Sequence, residues 1–167
     1  ALPICIFCCQ EIKSRANICN QVVLSIELIK QFHDFSPDGR HILFATTRLD
    51  YGTVPFTRQN LYEMDLDSLE LEVVWQDKLY SGEAQYSPDG KSLLVRGGPE
   101  CFGDIGVKVR EGRIPNTYDT QIYILDLAGR KVRAVSRDFD PAVEGARWSA
   151  DGRIYLQVTE RDYTRLY

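Results

Sequence analysis

The 167-residue sequence lacks both a long hydrophobic run and an excess of positive charge. No uncharged apolar stretch reaches the roughly 18 to 20 residues that a membrane-spanning helix needs, so we expect no membrane span. The longest such stretch, residues 1–9, is also shorter than a full signal peptide. Twenty Lys and Arg oppose 24 Asp and Glu, a net charge of −4. This balance argues against a basic nucleic-acid-binding surface.

Histidine is scarce and the cysteines are crowded, which disfavours a metal site and an evenly spread disulfide framework. The two histidines are His33 and His41, and both lie in or beside a strand pattern. A zinc site needs two cysteine pairs, or a pair plus histidine at closing distance. We therefore favour buried apolar thiols over a zinc-knuckle-like pair, and we predict no cofactor. The five cysteines are Cys5, Cys8, Cys9, Cys19 and Cys101.

Methionine occurs once, against seven Phe, nine Tyr and two Trp. Aromatic side chains fit the pleated, half-buried surface of a sheet, so this composition favours an all-β chain. The apolar content of 44% is too high for a disordered protein. One soluble globular core is expected.

An aromatic residue followed by a Ser-x-Asp-Gly turn occurs three times, beginning at residues 35, 86 and 148. Serine and aspartate bond nearby backbone amides, proline presets φ, and glycine accepts a left-handed conformation. Each copy therefore predicts a hairpin, including the third, where Ala150 replaces proline. The predicted turn residues are Ser36, Pro37, Asp38, Gly39, Ser87, Pro88, Asp89, Gly90, Ser149, Asp151 and Gly152.

A strand-like run follows each turn, and a second repeat matches residues 60–66 with 121–127. Together they give a unit of four antiparallel strands, which is typical of a β-propeller blade. A β-sandwich is the weaker alternative, because it would not be expected to repeat both features in order. The predicted division is an N-terminal segment or partial blade at 1–33, blades at 34–85 and 86–147, and the start of a third blade at 148–167.

Propellers close with roughly four to eight blades, so we expect this chain to be a fragment of a β-propeller. Exposed sheet edges would also favour self-association. Two insertions, 48–59 and 97–120, interrupt the blade pattern, and loops on a repeat scaffold often carry binding residues. Glu100 in the second insertion is the one candidate ligand contact. No Gly-x-Ser-x-Gly string occurs, so we predict no catalytic residue in the chain.

The aromatic-Ser-Pro-Asp-Gly-Lys/Arg hairpins resemble the repeats of TolB-like proteins and of the N-terminal propeller of prolyl oligopeptidase-family serine peptidases, which include the dipeptidyl peptidase IV type. The stretch from 34 to 167 is more similar to the propeller of the peptidases than to TolB. The features that favour the peptidases are residues 121–127, which follow a long insertion, and residues 148–152, which precede 160–163. The resemblance leaves residues 1–33 unexplained.

This resemblance implies a propeller that covers an α/β-hydrolase domain, gates peptide substrate access and supplies contacts to the amino end of the peptide. The catalytic Ser, Asp and His would belong to that absent domain, so the chain itself would be inactive. Dipeptidyl peptidases carry adjacent glutamates in the propeller; this sequence has none, so that specificity is not carried over. The resemblance implies an exported or periplasmic protein. The alternative is a non-enzymatic TolB-like scaffold that binds a protein partner.

Overall fold

The described part of the chain consists of β-strands and turns, and the predicted all-β class is confirmed. A computed structural model describes residues 31–79, 81–109 and 112–167. Within them lie twelve strands, β1 Gln31–Phe35, β2 His41–Leu49, β3 Thr57–Asp65, β4 Leu71–Leu79, β5 Ser81–Tyr86, β6 Ser92–Gly97, β7 Cys101–Asp104, β8 Gln121–Asp126, β9 Val132–Ala134, β10 Val143–Trp148, β11 Ile154–Glu160 and β12 Tyr163–Leu166.

The strands pair into three antiparallel sheets in nearly sequential order. The first sheet has the order β1-β2-β3-β4, the second β5-β6-β8-β9 and the third β10-β11-β12. The sheets thus span 31–79, 81–134 and 143–166, whereas the predicted units begin at 34, 86 and 148. The difference arises because each Ser-x-Asp-Gly turn joins the first two strands of one sheet, so the strand before the turn belongs with those after it.

The second hairpin turn shows why its residues are needed. Ser87 Oγ donates to the Asp89 carboxylate at 2.6 Å and accepts the Ser92 N–H at 3.0 Å. The Gly90 N–H donates to the Ser87 carbonyl at 2.9 Å, and Gly90 has φ of 70°, in the left-handed region that favours glycine. The same bonds connect Ser36, Asp38, Gly39 and His41 in the first turn.

The third hairpin is one residue shorter than the other two. Its aromatic residue pairs with a strand residue six positions later, Trp148 with Ile154, whereas Tyr86 pairs with Leu93, seven positions later. Among the described residues the Ser149 hydroxyl has no hydrogen-bond partner. The residue paired with the aromatic nevertheless faces the same way in both hairpins, because Leu93 and Ile154 each pack toward the preceding sheet. Accordingly, Ile154 and its i+2 neighbours pack toward the second sheet, while Tyr155 is 39% exposed.

This difference between the turns predicts unequal effects of the same substitution. Ser87→Ala leaves the Ser92 N–H and the Asp89 carboxylate without their partner, and it should lower the free energy of unfolding by about 1–2 kcal/mol. The matched variant Ser149→Ala removes a hydroxyl that makes neither bond, and it should stay within about 0.5 kcal/mol. Urea denaturation of both variants measures the difference; equal losses would contradict the turn geometry.

Two hydrophobic cores lie between successive sheets. Leu43, Leu61 and Trp75 of the first sheet pack with Leu93 and Tyr123 of the second. On the other face of the second sheet, Leu94 and Ile122 pack with Val143 and Val158 of the third. Alternate residues of β6 and β8 therefore face opposite neighbours, which explains the uninterrupted apolar runs 93–95 and 122–125. The three sheets stand face to face in series.

The two predicted insertions differ from a simple loop. Residues 48–59 include the ends of β2 and β3, which stay paired as far as Leu49 and Thr57, so only 50–56 form the connection. Residues 97–120 contain β7, whose Phe102 meets Trp75 and Tyr123 edge to face. This insertion therefore contributes to the core between the first two sheets. Cys101 at its start is 2% exposed.

Several expectations fall on residues outside the described ranges. They include Cys5, Cys8, Cys9 and Cys19, and residues 1–30 of the predicted N-terminal segment or partial blade. In the part of the chain that the structure does describe, no helix has the length and apolar character needed to cross a membrane.

Candidate functional site

The first strands of the three sheets, β1, β5 and β10, lie next to one another at a common edge. Their contacts are side chain-to-backbone hydrogen bonds that repeat from sheet to sheet. Asp34 Oδ2 accepts the Tyr86 N–H at 2.9 Å, and Gln85 Oε1 accepts the Trp148 N–H at 3.1 Å. In both cases the acceptor directly precedes the aromatic residue of its own repeat. It binds the aromatic residue of the next repeat.

The equivalent position in the third sheet is occupied by Arg147. A guanidinium group has five N–H donors and no acceptor, so it cannot continue this pattern. Instead, Arg147 lines a cavity between the three strands. The sequence repeat thus supplies two acceptors and then a cationic donor at one structural position.

The cavity has a volume of about 230 Å³ and a mostly polar lining. Two acidic residues, Asp34 and Glu83, face two basic residues, Arg96 and Arg147, so the charges of the lining balance. All three sheets contribute. The lining residues are Gln31, Phe32, His33, Asp34, Glu83, Ala84, Gln85, Leu94, Arg96, Ala146 and Arg147.

His33 is a neutral hydrogen-bond donor in this cavity. Its Nδ1 accepts the Ala84 N–H at 2.8 Å, so the neutral ring carries its proton on Nε2. Burial lowers the pKa of His33 to about 4, although Glu83 opposes the shift. The Nε2 atom is buried and has no hydrogen-bond partner among the described residues.

Arg96 supplies a second donor atom that the described residues leave unpaired. Its Nη2 lies 3.3 Å from a Glu83 carboxylate oxygen, and its side chain is 20% exposed. Its Nε is buried without a partner in the described structure. A buried donor without an acceptor is costly, so His33 Nε2 and Arg96 Nε are two unsatisfied atoms within residues that line the cavity.

The residues singled out from the sequence lie elsewhere. The turn residues form the ends of the hairpins, and Glu100 is half-buried in the turn between β6 and β7; neither group lines the cavity. His41 lies 3.4 Å from Asp65, whose carboxylate accepts the N–H groups of Asp67 and Ser68. Among the described residues, no group of three or more His, Cys, Asp or Glu side chains is arranged to hold a metal ion.

Sequence reasoning missed His33, Gln85 and Arg96 as site residues. The repeat contained a usable signal for part of the site, since 34, 85 and 147 share one position before the aromatic residue. The contribution of Arg96 depends on the packing of β6 behind β5 and leaves no such signal.

Comparison with known proteins identifies the fold. No family model matches the sequence, and no curated protein matches it. TolB from Acinetobacter baumannii matches 82% of this chain with a TM-score of 0.54 and 22% identity. Acylaminoacyl peptidase from Pyrococcus horikoshii matches 82% with 0.52 and 21%, and the β-propeller domain of the Trilobed protease from Pyrococcus furiosus matches 82% with 0.50 and 12%. The chain is a segment of a β-propeller.

The matched regions span 28%, 22% and 38% of those three proteins, so the chain corresponds to a minor part of each. The predicted resemblance to TolB-like and peptidase propellers is confirmed at the level of the fold. Because propeller blades surround a central channel, the first strands β1, β5 and β10 are the channel-lining strands. The polar cavity therefore lies at the channel side of the three blades.

Proposed function

We propose that the chain is the propeller segment of a prolyl oligopeptidase-family serine peptidase. The observation that carries the proposal is the polar cavity at the channel side, to which all three blades contribute side chains. The likeness to propellers of peptidases supports it. In such a protein the propeller limits which peptides reach a separate α/β-hydrolase domain, and the catalytic Ser, Asp and His belong to that domain.

The lining of the cavity suits this gating role. Peptides carry backbone donors and acceptors along their whole length, and the cavity offers both carboxylates and donor groups. Hydrogen bonds between blades hold two of its lining side chains, Asp34 and Gln85. A polar channel admits an extended peptide and excludes a folded protein by size.

The experiment is detection of the native protein in its source with an antibody to this chain, combined with labelling by a fluorophosphonate that reacts with activated serines. The proposal expects a band much larger than 19 kDa that takes up the label. Preincubation with a serine-protease inhibitor provides the control, because it should abolish labelling without changing the antibody signal. An unlabelled band would contradict the proposal.

A TolB-like scaffold that binds a protein partner is the second candidate. The matches to TolB favour it, with TM-scores of 0.54. In this case the channel-side cavity would bind part of the partner, and no hydrolase domain would be present. An unlabelled antibody-reactive band that copurifies with a second protein would support this candidate.

A further inference from the structure

We infer that the end of the blades opposite the Ser-x-Asp-Gly turns is the surface on which the α/β-hydrolase domain of the proposed function docks. The antiparallel strand order places the connections between strands at two ends of the blades. The turn end carries the turns 36–40, 66–70, 87–91, 127–131 and 149–153. The loop end carries the connections 50–56, 98–109, 112–120, 135–142 and 161–162.

The two ends differ in the side chains that they expose. Large hydrophobic side chains of the loop end are exposed, with Ile114 at 92% and Tyr51 at 78%. In the five described turns of the turn end, no large hydrophobic side chain is exposed. Those turns expose charged residues such as Arg40, Lys91 and Arg153. The exposed hydrophobic residues of the loop end are Tyr51, Val54, Phe56, Ile105, Val109, Ile114, Tyr118 and Val135.

Buried hydrogen bonds fix the insertion of the second blade to its sheet at the loop end. Gln121 Nε2 donates to the Gly106 carbonyl at 2.8 Å, and the Tyr123 hydroxyl donates to the Gly98 carbonyl at 2.7 Å. Strand β7 of the same insertion packs against β4 of the first blade. The insertion is therefore held by two blades at once.

The connection 50–56 of the first blade also has a defined conformation. The Asp50 N–H donates to the Phe56 carbonyl at 2.6 Å, and Asp50 Oδ2 accepts from Arg58 Nε at 3.2 Å. The Tyr51 and Phe56 rings lie 6.1 Å apart, so the two exposed aromatic side chains share one apolar surface. Aromatic side chains that are already held in place lose little conformational freedom on binding, which favours association with a partner.

An exposed apolar surface of this kind is typical of an interface with another protein surface. The loops come from successive blades, so the loop end is as wide as the blades and exceeds a groove for one peptide. Charged side chains lie among the apolar ones, including the ion pair of Lys108 with Asp138. Interfaces between domains of one chain have the same mixed polarity.

The catalytic domain is the occupant that follows from the proposed function, on which this inference rests. A channel that admits peptides to a hydrolase domain needs one mouth covered by that domain and one mouth open to solvent. The apolar loop end suits the covered mouth, and the charged turn end suits the open mouth, since charged groups are costly to remove from water. The matched region is 22% of the acylaminoacyl peptidase chain, so a protein of that length has most of its chain available to cover this end.

Cross-linking of the native protein tests the assignment. The protein is captured with the antibody to this chain, labelled with the fluorophosphonate and treated with the amine-reactive cross-linker bis(sulfosuccinimidyl) suberate. Lys108 reports on the loop end, and Lys91 and Lys131 are matched exposed lysines at the turn end. By mass spectrometry, we expect Lys108 to be joined to the domain that contains the labelled serine, and Lys91 and Lys131 not to be joined to it.

Acetylation of the same lysines provides a second readout. Sulfosuccinimidyl acetate should modify Lys108 at least about tenfold more slowly in the native protein than in the isolated chain, because docking covers it. Lys91 and Lys131 should react at equal rates in both.

A charge placed in the docking surface should remove this protection. Ile114→Glu in the full-length protein should restore acetylation of Lys108 by about tenfold, because docking would bury a carboxylate. Ala128→Glu is the matched control, since it adds the same exposed carboxylate at the turn end, and it should leave Lys108 protected. In the isolated chain, Ile114→Glu should leave the urea midpoint unchanged, because Ile114 is exposed.

Cross-links to the labelled domain from Lys91 or Lys131 and none from Lys108 would overturn the inference and leave the proposed function intact. Cross-links from Lys108 to a second copy of this chain, or to a separate unlabelled protein, would also overturn it, as would equal acetylation of Lys108 in the native protein and the isolated chain. The proposed function fails by a different readout, the absence of a labelled serine. The two failures are therefore distinguishable.

Discussion

Replacing Leu93 with alanine is expected to lower the free energy of unfolding by about 2–5 kcal/mol. Leu93 is fully buried and lies in the core shared by the first two blades, together with Leu43 and Tyr123. Its removal deletes apolar contacts to both blades and leaves a cavity that rigid sheets close only in part. The loss is large because the residue joins two sheets rather than covering one.

Leu49→Ala is the matched control, since it makes the same chemical change at a residue that is 60% exposed. It should change the stability by no more than about 0.5 kcal/mol. Urea denaturation gives both values from the transition midpoint, provided that the slope is unchanged. Equal destabilisation by the two variants would show that Leu93 is not in a core between blades.

The second large expected effect is a loss of stability as the pH falls from about 6.5 to about 4. Burial lowers the pKa of His33 to about 4 from its ordinary value of 6.5. In this window the unfolded chain binds a proton at His33 and the folded chain does not, so stability rises with pH. The contribution of the neutral His33 ring to the free energy of unfolding is fully present above pH 6.5. It is lost as the pH falls toward 4, which lowers the free energy of unfolding by about 3 kcal/mol.

The groups around His33 determine how far this effect is moderated. Glu83 favours the protonated ring, and Asp34, Arg96 and Arg147 are the other charged residues that line the cavity. Denaturation measured across this pH range should show that the free energy of unfolding falls more steeply in the unsubstituted chain than in His33→Gln. His41→Gln should retain the steep loss. Parallel curves for parent and His33→Gln would contradict the buried, neutral ring.

The repeated turns were sufficient to predict the sheets but not their registers. The Ser-x-Asp-Gly strings predict three hairpins, yet the third lacks proline and is one residue shorter. The sequence does signal that β11 is buried on one face, because Tyr155, Gln157 and Thr159 alternate with apolar residues, whereas β2 and β6 contain the uninterrupted apolar runs 42–45 and 93–95. That alternation is typical of a strand buried on one face.

The cavity could be predicted only in part. It requires three strands that are about 50 to 60 residues apart in sequence to meet at one edge, and no local pattern encodes that meeting. The repeat position before the aromatic residue identified Asp34, Gln85 and Arg147 as equivalent. The environment of His33 depends on the Ala84 amide of the next blade, a contact that exists only after the blades associate.

The central claim is that the sheets pack face to face as blades and that their first strands are joined by hydrogen bonds. Amide hydrogen exchange at Tyr86 and Trp148 tests it most directly, because Asp34 and Gln85 accept these N–H groups across blade boundaries. Asp34→Ala should accelerate exchange at Tyr86 by about tenfold or more while sparing Trp148, and Gln85→Ala should do the reverse. Unchanged exchange at both amides, or equal acceleration at both in each variant, would contradict this arrangement of blades.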